Sequence, residues 1–236
     1  MKPKRIILVR HGESEANLDA ARHECVPNHR ICLSAAGRAQ AEAVGRELAG
    51  ITAGESVQFF VSPYERTRET YRLMRPAFPQ RHVQMYEDPR LREQDFGNFR
   101  GVEETFRLQQ ERRAYGVFFY RFPDGESGAD VFDRVSLFLE SLHRNFRRHT
   151  FPRNVILVTH GLTMRLFVMR WFRHSVEEFE SWANPGNCEY RVMERQAGRY
   201  VLARPFDAAA ASGEDGPGGA STPGTDDLGL GRRERA

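Results

Sequence analysis

Apolar residues in this chain gather in short unbroken runs set between longer segments of helical periodicity. Ile7 to Val9 and Ile156 to Val158 are continuous and rich in β-branched side chains, and Val57 to Val61 reads as the next strand. Such runs suit strands covered on both faces, as in a parallel sheet between helices. A weaker run at His82 to Tyr86 reads as a further strand. Ser34 stands where a helix N-cap belongs, ahead of the Ala-rich segment Ala35 to Leu48, which closes near Gly50. Pro63 to Met74 reads as a helix with proline in its first turn. Val102 to Tyr120 and Ala129 to Arg147 carry helical patterns before the Val155 strand, and Leu162 to Trp171 and Val176 to Trp182 carry them after it. Glu189 to Glu194 and Tyr200 to Ala203 alternate as a closing hairpin does. Strands alternating with helices in this order predict a three-layer α/β/α fold whose sheet is mostly parallel with an antiparallel edge.

Two of these strands end alike. Ile7-Leu8-Val9-Arg10-His11-Gly12 and Ile156-Leu157-Val158-Thr159-His160-Gly161 repeat one pattern about 150 residues apart. Open parallel sheets bind ligands at the carboxyl ends of their strands, so neighbouring strands would deliver His11 and His160 side by side, with Arg10 beside them. A neutral imidazole attacks phosphorus through one nitrogen when the other is held as a donor, and guanidinium groups grip the nonbridging oxygens. Asn17 adds a side-chain amide downstream. The pairing therefore points to phosphoryl transfer on a small phosphorylated substrate.

Composition narrows the picture further. From about Asp207 the chain turns to Ala, Gly, Ser, Pro, Thr and Asp, which cannot bury enough apolar surface to offset ordering entropy. One domain over residues 1–206 and a disordered tail over 207–236 are expected. The 35 Lys and Arg are interspersed with 32 Asp and Glu, for a net charge of +3, which is no nucleic-acid footprint. The basic start Met1 to Arg5 precedes an apolar run of strand length interrupted by Arg10-His11, so neither a leader nor a membrane span is expected. Cys25, Cys32 and Cys188 are odd in number and lack metal-ligand spacing, which predicts reduced thiols in a reducing, cytoplasmic setting. The eight histidines show no zinc-type spacing, so no metal and no cofactor is expected.

Arg10-His11-Gly12 directly after the first strand resembles the signature of the histidine phosphatase superfamily, also called the phosphoglycerate mutase-like family, and the resemblance spans about residues 5 to 194. Ser62-Pro63-Tyr64-Glu65-Arg66 is similar to its second motif, which implies a phosphate-binding role for Arg66 in the first turn of a helix, where the dipole also favours an anion. Arg68 points elsewhere, and a solvated helix face accounts for it. Leu91-Arg92-Glu93-Gln94-Asp95-Phe96-Gly97 resembles the third motif, which implies that Glu93 donates a proton to the leaving oxygen, with Asp95 as the fallback acid. Apolar or anionic neighbours would raise the pKa of such a donor. Thr159-His160-Gly161 resembles the last motif, which implies phosphate contacts from His160 and Gly161, with His160 protonated and His11 neutral, and hence activity over an acidic band.

Pro123-Asp124-Gly125-Glu126-Ser127, with Arg134 beyond it, is similar to the phosphatase branches of the superfamily and makes Glu126 and Arg134 further substrate-binding candidates. A turn capped by Ser127 explains the same residues. Residues 101–123, with Phe106, Arg107, Arg112, Arg113, Tyr115 and Phe118 to Tyr120, would form a lid suited to an anionic substrate. Longer runs, among them Phe118 to Pro123 and Gly186 to Glu194, resemble plant and fungal phosphoglycerate mutase-like phosphatases, which implies broad phosphatases linked to carbohydrate metabolism. The expected activity is metal-independent phosphomonoester hydrolysis through a phosphohistidine, with His11, Glu93 and His160 catalytic and Arg10, Asn17, Arg66, Gly161, Glu126 and Arg134 binding substrate. A mutase using the same residues and a noncatalytic phospho-ligand module are the alternatives, and the resemblance also admits a homodimer.

Overall fold

A computed structural model describes residues 2–78, 83–98 and 101–209. Its single sheet has the order β3-β2-β4-β1-β5-β6, built from β1 (Arg5–Arg10), β2 (Val57–Val61), β3 (Val83–Glu87), β4 (Asn154–Thr159), β5 (Tyr190–Gln196) and β6 (Arg199–Leu202). The first four strands in chain order run parallel, while β5 pairs antiparallel with β1 and β6 with β5. The continuous apolar runs occupy the interior: every residue of β2 and of β4 is buried. On β1, Ile6 and Leu8 face one core with Phe138, Leu142, Leu166 and Phe167, and Ile7 and Val9 face the other with Ala41, Val44, Leu48 and Met74. That alternation is the three-layer arrangement expected of helices packed on both faces.

The helices are α1 (Glu15–Leu18), α2 (Arg22–Cys25), α3 (Ala35–Thr52), α4 (Glu65–Met74), α5 (Val102–Tyr115), α6 (Gly128–Asn145), α7 (Gly161–Phe172) and α8 (Val176–Glu180). Ser34 caps α3 by accepting the Gly37 N–H, and Ser127 caps α6 in a reciprocal box with Asp130. The long helix expected over Val102 to Tyr120 stops at Tyr115, because Gly116 takes φ +108°, a conformation that ends a helix and that other residues resist. The strand expected from His82 begins among the described residues at Val83, and His82 itself lies outside them.

At the other end, the chain stays packed past the expected boundary. Ala183 N–H donates to the Asp207 carbonyl (2.8 Å), Ala209 N–H to that of Ser181 (2.8 Å), and Phe206 stacks on Trp182. Residues 210–236, most of the expected tail, lie outside the described residues. No helix of the described residues is long and apolar enough to cross a membrane. The three cysteines are free, and burial pushes the Cys188 thiol up to about 12.

Candidate active site

Strand register places the two histidines together. Arg10 lies opposite Thr159 across the β1–β4 ladder, and the His11 N–H continues that ladder to the Thr159 carbonyl (3.0 Å). Ser62, just past β2, donates its N–H to the Val158 carbonyl on the other side of β4 (3.0 Å). Three adjacent strands thus release His11, His160 and the Ser62-Pro63-Tyr64 turn at one end of the sheet. The two imidazoles meet edge to face, with ring centres 5.2 Å apart.

Each ring nitrogen has a distinct partner. His11 Nδ1–H donates to the carbonyl of Gly12 (2.7 Å), and a carbonyl can only accept, so Nε2 carries the lone pair. Nε2 accepts from Arg66 Nε (3.1 Å), whose Nη1 is anchored on the backbone and side-chain oxygens of Asn28 (2.9 and 3.0 Å). His160 Nε2 shares a hydrogen bond with Ser62 Oγ (2.8 Å), while its Nδ1 lies 3.4 Å from Arg66 Nη2 and 3.5 Å from Glu93 Oε2. A hydroxyl both donates and accepts, so either neutral tautomer of His160 is served.

Both histidines are fully buried and held well below the ordinary histidine pKa of 6.5, first by burial and then by the cationic Arg66. In the ligand-free site the expected opposite protonation therefore has no support, since the Arg66 guanidinium that contacts both rings already supplies positive charge there. Glu93 differs from expectation as well. Its neighbours are His160 and Arg66, not apolar or anionic groups.

Among the binding candidates, Arg10 lines the cavity and donates through Nη1 to the Pro185 carbonyl. Asn17 also lines it, its Oδ1 accepting from the Ser14 N–H and hydroxyl (2.8 and 2.9 Å). Gly161 opens α7 directly after His160, so backbone N–H groups and the positive end of a twelve-residue helix face the site. A Cβ there would fall 2.2 Å from the Asn184 amide oxygen, so any larger residue would have to displace that side chain.

Glu126 and Arg134 are not among the cavity-lining residues. Arg134 is buried and pairs with Glu126 (3.1 Å), the two standing behind the segment that carries Glu93. Asp95 is exposed, accepts the Gly97 N–H, and is no alternative acid. Arg68 pairs with Glu87 on the surface, away from the histidines.

The cavity encloses about 530 Å³. Its walls include residues the motifs do not mark, notably Asn28 from the loop after α2, Arg165 from α7, and Gln109, Arg112 and Arg113 from α5. Arg165 is buried against the face of Phe179 (4.5 Å) and donates to that residue's carbonyl (3.0 Å). Arg112 lies over Phe122 (5.6 Å) and donates to Gln94 Oε1 (3.0 Å). Among the described residues, five arginines and one carboxylate face the cavity. His11, Glu93 and His160 have donor atoms within 4.8 Å of one another, close enough to share a metal ion, but Arg66 contacts both rings and would oppose a divalent cation.

Residues 6–208 match the family described as the histidine phosphatase superfamily, branch 1. The chain belongs to that superfamily. It is 51% identical to the phosphoglycerate mutase-like protein AT74 of Arabidopsis thaliana, over 85% of this chain and 68% of that protein. It is 32% identical to the broad-range acid phosphatase DET1 of Saccharomyces cerevisiae, over 85% and 89% respectively. A mycobacterial glucosyl-3-phosphoglycerate phosphatase shares the fold, with a TM-score of 0.67 at 21% identity over 88% of this chain and 100% of its own. The matched span includes the Arg-His-Gly end of β1 and the His-Gly end of β4.

Proposed function

We propose that the protein is a metal-independent phosphatase that hydrolyses phosphomonoesters through a phosphohistidine. The observation that carries this reading is His11, its Nδ1–H fixed on the Gly12 carbonyl and its Nε2 lone pair turned toward Arg66, His160 and Glu93. Arg10, Arg66, Asn17 and the N-terminus of α7 hold the phosphoryl oxygens, and Arg66 Nε passes its hydrogen bond from Nε2 to one of them. Nε2 then attacks phosphorus; the P–N bond forms as the P–O bond to the alcohol breaks, and Glu93 gives the departing oxygen its proton. Water next attacks the phosphohistidine, Glu93 takes a proton from it, and the P–N bond breaks to release phosphate. Donors already aimed at the phosphoryl oxygens stabilise the charge that spreads over them in both transition states.

Five arginines facing one carboxylate leave a surplus of positive charge beyond what a phosphomonoester dianion neutralises. The reading therefore favours substrates with a further anionic group, such as phosphorylated sugar acids, over neutral sugar phosphates. Three free thiols support a reducing, cytoplasmic setting.

The test is hydrolysis of p-nitrophenyl phosphate across pH 4 to 8 with chelator present, together with trapping of labelled phosphoenzyme. Phosphate release that survives chelator, with a label lost in His11→Ala, supports the reading. Transfer of phosphate between hydroxyls without release would make the protein a mutase, and no turnover with tight phosphate binding would make it a binding module.

A further inference from the structure

Glu93 lies just beyond a short 3-10 turn, Pro89–Leu91, on a segment with no helix or strand to fix its backbone. Every carbonyl from Arg90 to Glu93 is nevertheless held by a side chain from another element. Arg134 on α6 donates Nη1 to the carbonyls of Arg90 (2.7 Å) and Arg92 (2.9 Å), and Nη2 to that of Glu93 (3.1 Å). Thr159 Oγ1 donates to the Leu91 carbonyl (2.7 Å), and Thr163 Oγ1 to that of Arg92 (3.1 Å). Glu126 closes the other side: it accepts from Arg134 Nε and Nη2 (3.1 Å each) and from the Asp95 N–H (3.0 Å), and it pairs with Arg92. Its own N–H donates to the Asp95 carbonyl (2.8 Å), and its carbonyl accepts from Gln94 Nε2 (2.8 Å).

This degree of restraint has no equal in need elsewhere on the segment, because only Glu93 has to hold a carboxylate against a reacting atom. Arg134 is 7% exposed, and neither it nor Glu126 lines the cavity, so neither touches a substrate. Thr159 and Thr163 flank His160, which ties the acid's backbone to the strand and helix that present the second histidine. We propose that Arg134, braced by Glu126, is a positioning residue that sets the reach of Glu93 to the leaving oxygen. The proposal rests on the phosphatase reading above. A fixed fork of five donors spans three carbonyls and a carboxylate at once, which lysine cannot do. Displacement of a catalytic group by an ångström costs up to about a hundredfold in rate.

Such a role has a kinetic signature that a merely structural one lacks. An acidic phenol leaves without a proton, whereas a weakly acidic phenol or an alkanol needs one, so loss of the brace must discriminate by leaving group. The experiment measures kcat/KM, which reports the first chemical step, for aryl phosphates from p-nitrophenyl to phenyl and for an alkyl phosphate. It compares wild type with Arg134→Lys, Arg134→Gln, Glu126→Gln and Thr163→Val, alongside the inhibition constant of inorganic phosphate and a thermal melt. Expected are losses of roughly tenfold to a hundredfold on phenyl and alkyl phosphates, a much smaller loss on p-nitrophenyl phosphate, and unchanged inhibition by phosphate. Adding Glu93→Gln to Arg134→Lys is expected to cost little more than Glu93→Gln alone, since the two act through one group. An equal loss across the series, or weakened phosphate inhibition in proportion, would overturn the proposal. Should the Arg134 variants fail to fold, Thr163→Val carries the same leaving-group test with one hydrogen bond removed. An inactive wild type would sink the phosphatase reading itself, while an active wild type with flat leaving-group dependence sinks the positioning role alone.

Discussion

The ends of β1 and β4 read almost identically, yet they hold their histidines in opposite ways. His11 is tied through Nδ1 to a carbonyl one residue along its own backbone, while His160 is tied through Nε2 to a hydroxyl 98 residues away, on the turn after β2. A carbonyl accepts and nothing more, so His11 has a single neutral tautomer that always leaves the lone pair on Nε2. The Ser62 hydroxyl donates or accepts, so His160 can present Nδ1 to a phosphoryl oxygen as a donor without the surrounding structure moving. The backbone beyond each histidine differs too: after Gly12 comes a loop, whereas Gly161 begins a full helix whose positive end faces the site. Identical residues acquire different chemistry from which nitrogen is restrained and by what.

The comparison breaks most visibly under substitution. His11→Ala is expected to lower kcat by at least about 10⁴-fold and abolish the phosphoenzyme, since it removes the attacking nitrogen of the proposed mechanism. His160→Ala removes a stabilising donor and leaves the nucleophile, so about 10² to 10³ in kcat is expected with the phosphoenzyme still trappable on His11. If the two variants lost equal activity and both lost the label, the division of roles would be wrong.

Ser62→Ala sharpens the contrast at smaller cost. It leaves His160 Nε2 without its hydroxyl partner, and about a tenfold weakening of phosphate inhibition is expected, with His11 phosphorylation on aryl phosphates largely retained. Imidazole nitrogen NMR checks the cause directly: His11 should show one tautomer with and without inorganic phosphate, and His160 should change on addition. A His160 spectrum indifferent to phosphate would contradict the switchable partner.

The smallest effect is thermodynamic. Both folded-state histidine pKa values lie below 6.5, while the unfolded chain titrates near it. Between those values the unfolded state binds more protons, so stability is present near neutrality and is lost as pH falls through 6.5 toward the folded values. The melting temperature of wild type should therefore drop more between pH 7 and pH 5 than that of His160→Gln. A parallel drop in both would place the acid sensitivity elsewhere.

Much of this arrangement was legible in the residue pattern. Apolar runs identified the buried strands, caps at Ser34 and Ser127 marked helix starts, and the paired His-Gly ends do meet at one end of the sheet, because these signals are local. The features that escaped depend on distant partners. Arg134 and Glu126 read as substrate ligands, since sequence shows that they belong together but not on which side of the Glu93 segment they stand. The charge around the histidines escaped for the same reason: Arg66 looked like one more phosphate contact, and only the packing reveals that it contacts both rings. Asn28 and Arg165 carry no motif at all, and the short helices α1 and α2 have too few residues for a periodic signal.

One feature of the sheet governs how the protein comes into being. β4 lies between β1 and β2, which share no ladder with each other. A chain emerging from the ribosome has therefore made β1 and β2 long before the strand that joins them, and its first 150 residues hold the β2–β3 pair and a β1 whose two partners, β4 and β5, are still to come. Closure waits for a long-range insertion, a slow kind of step because distant segments must meet before any contact stabilises them. The residue directly after the inserted strand is His160, so assembly of the sheet and the meeting of the two histidines are a single event in the life of a nascent chain.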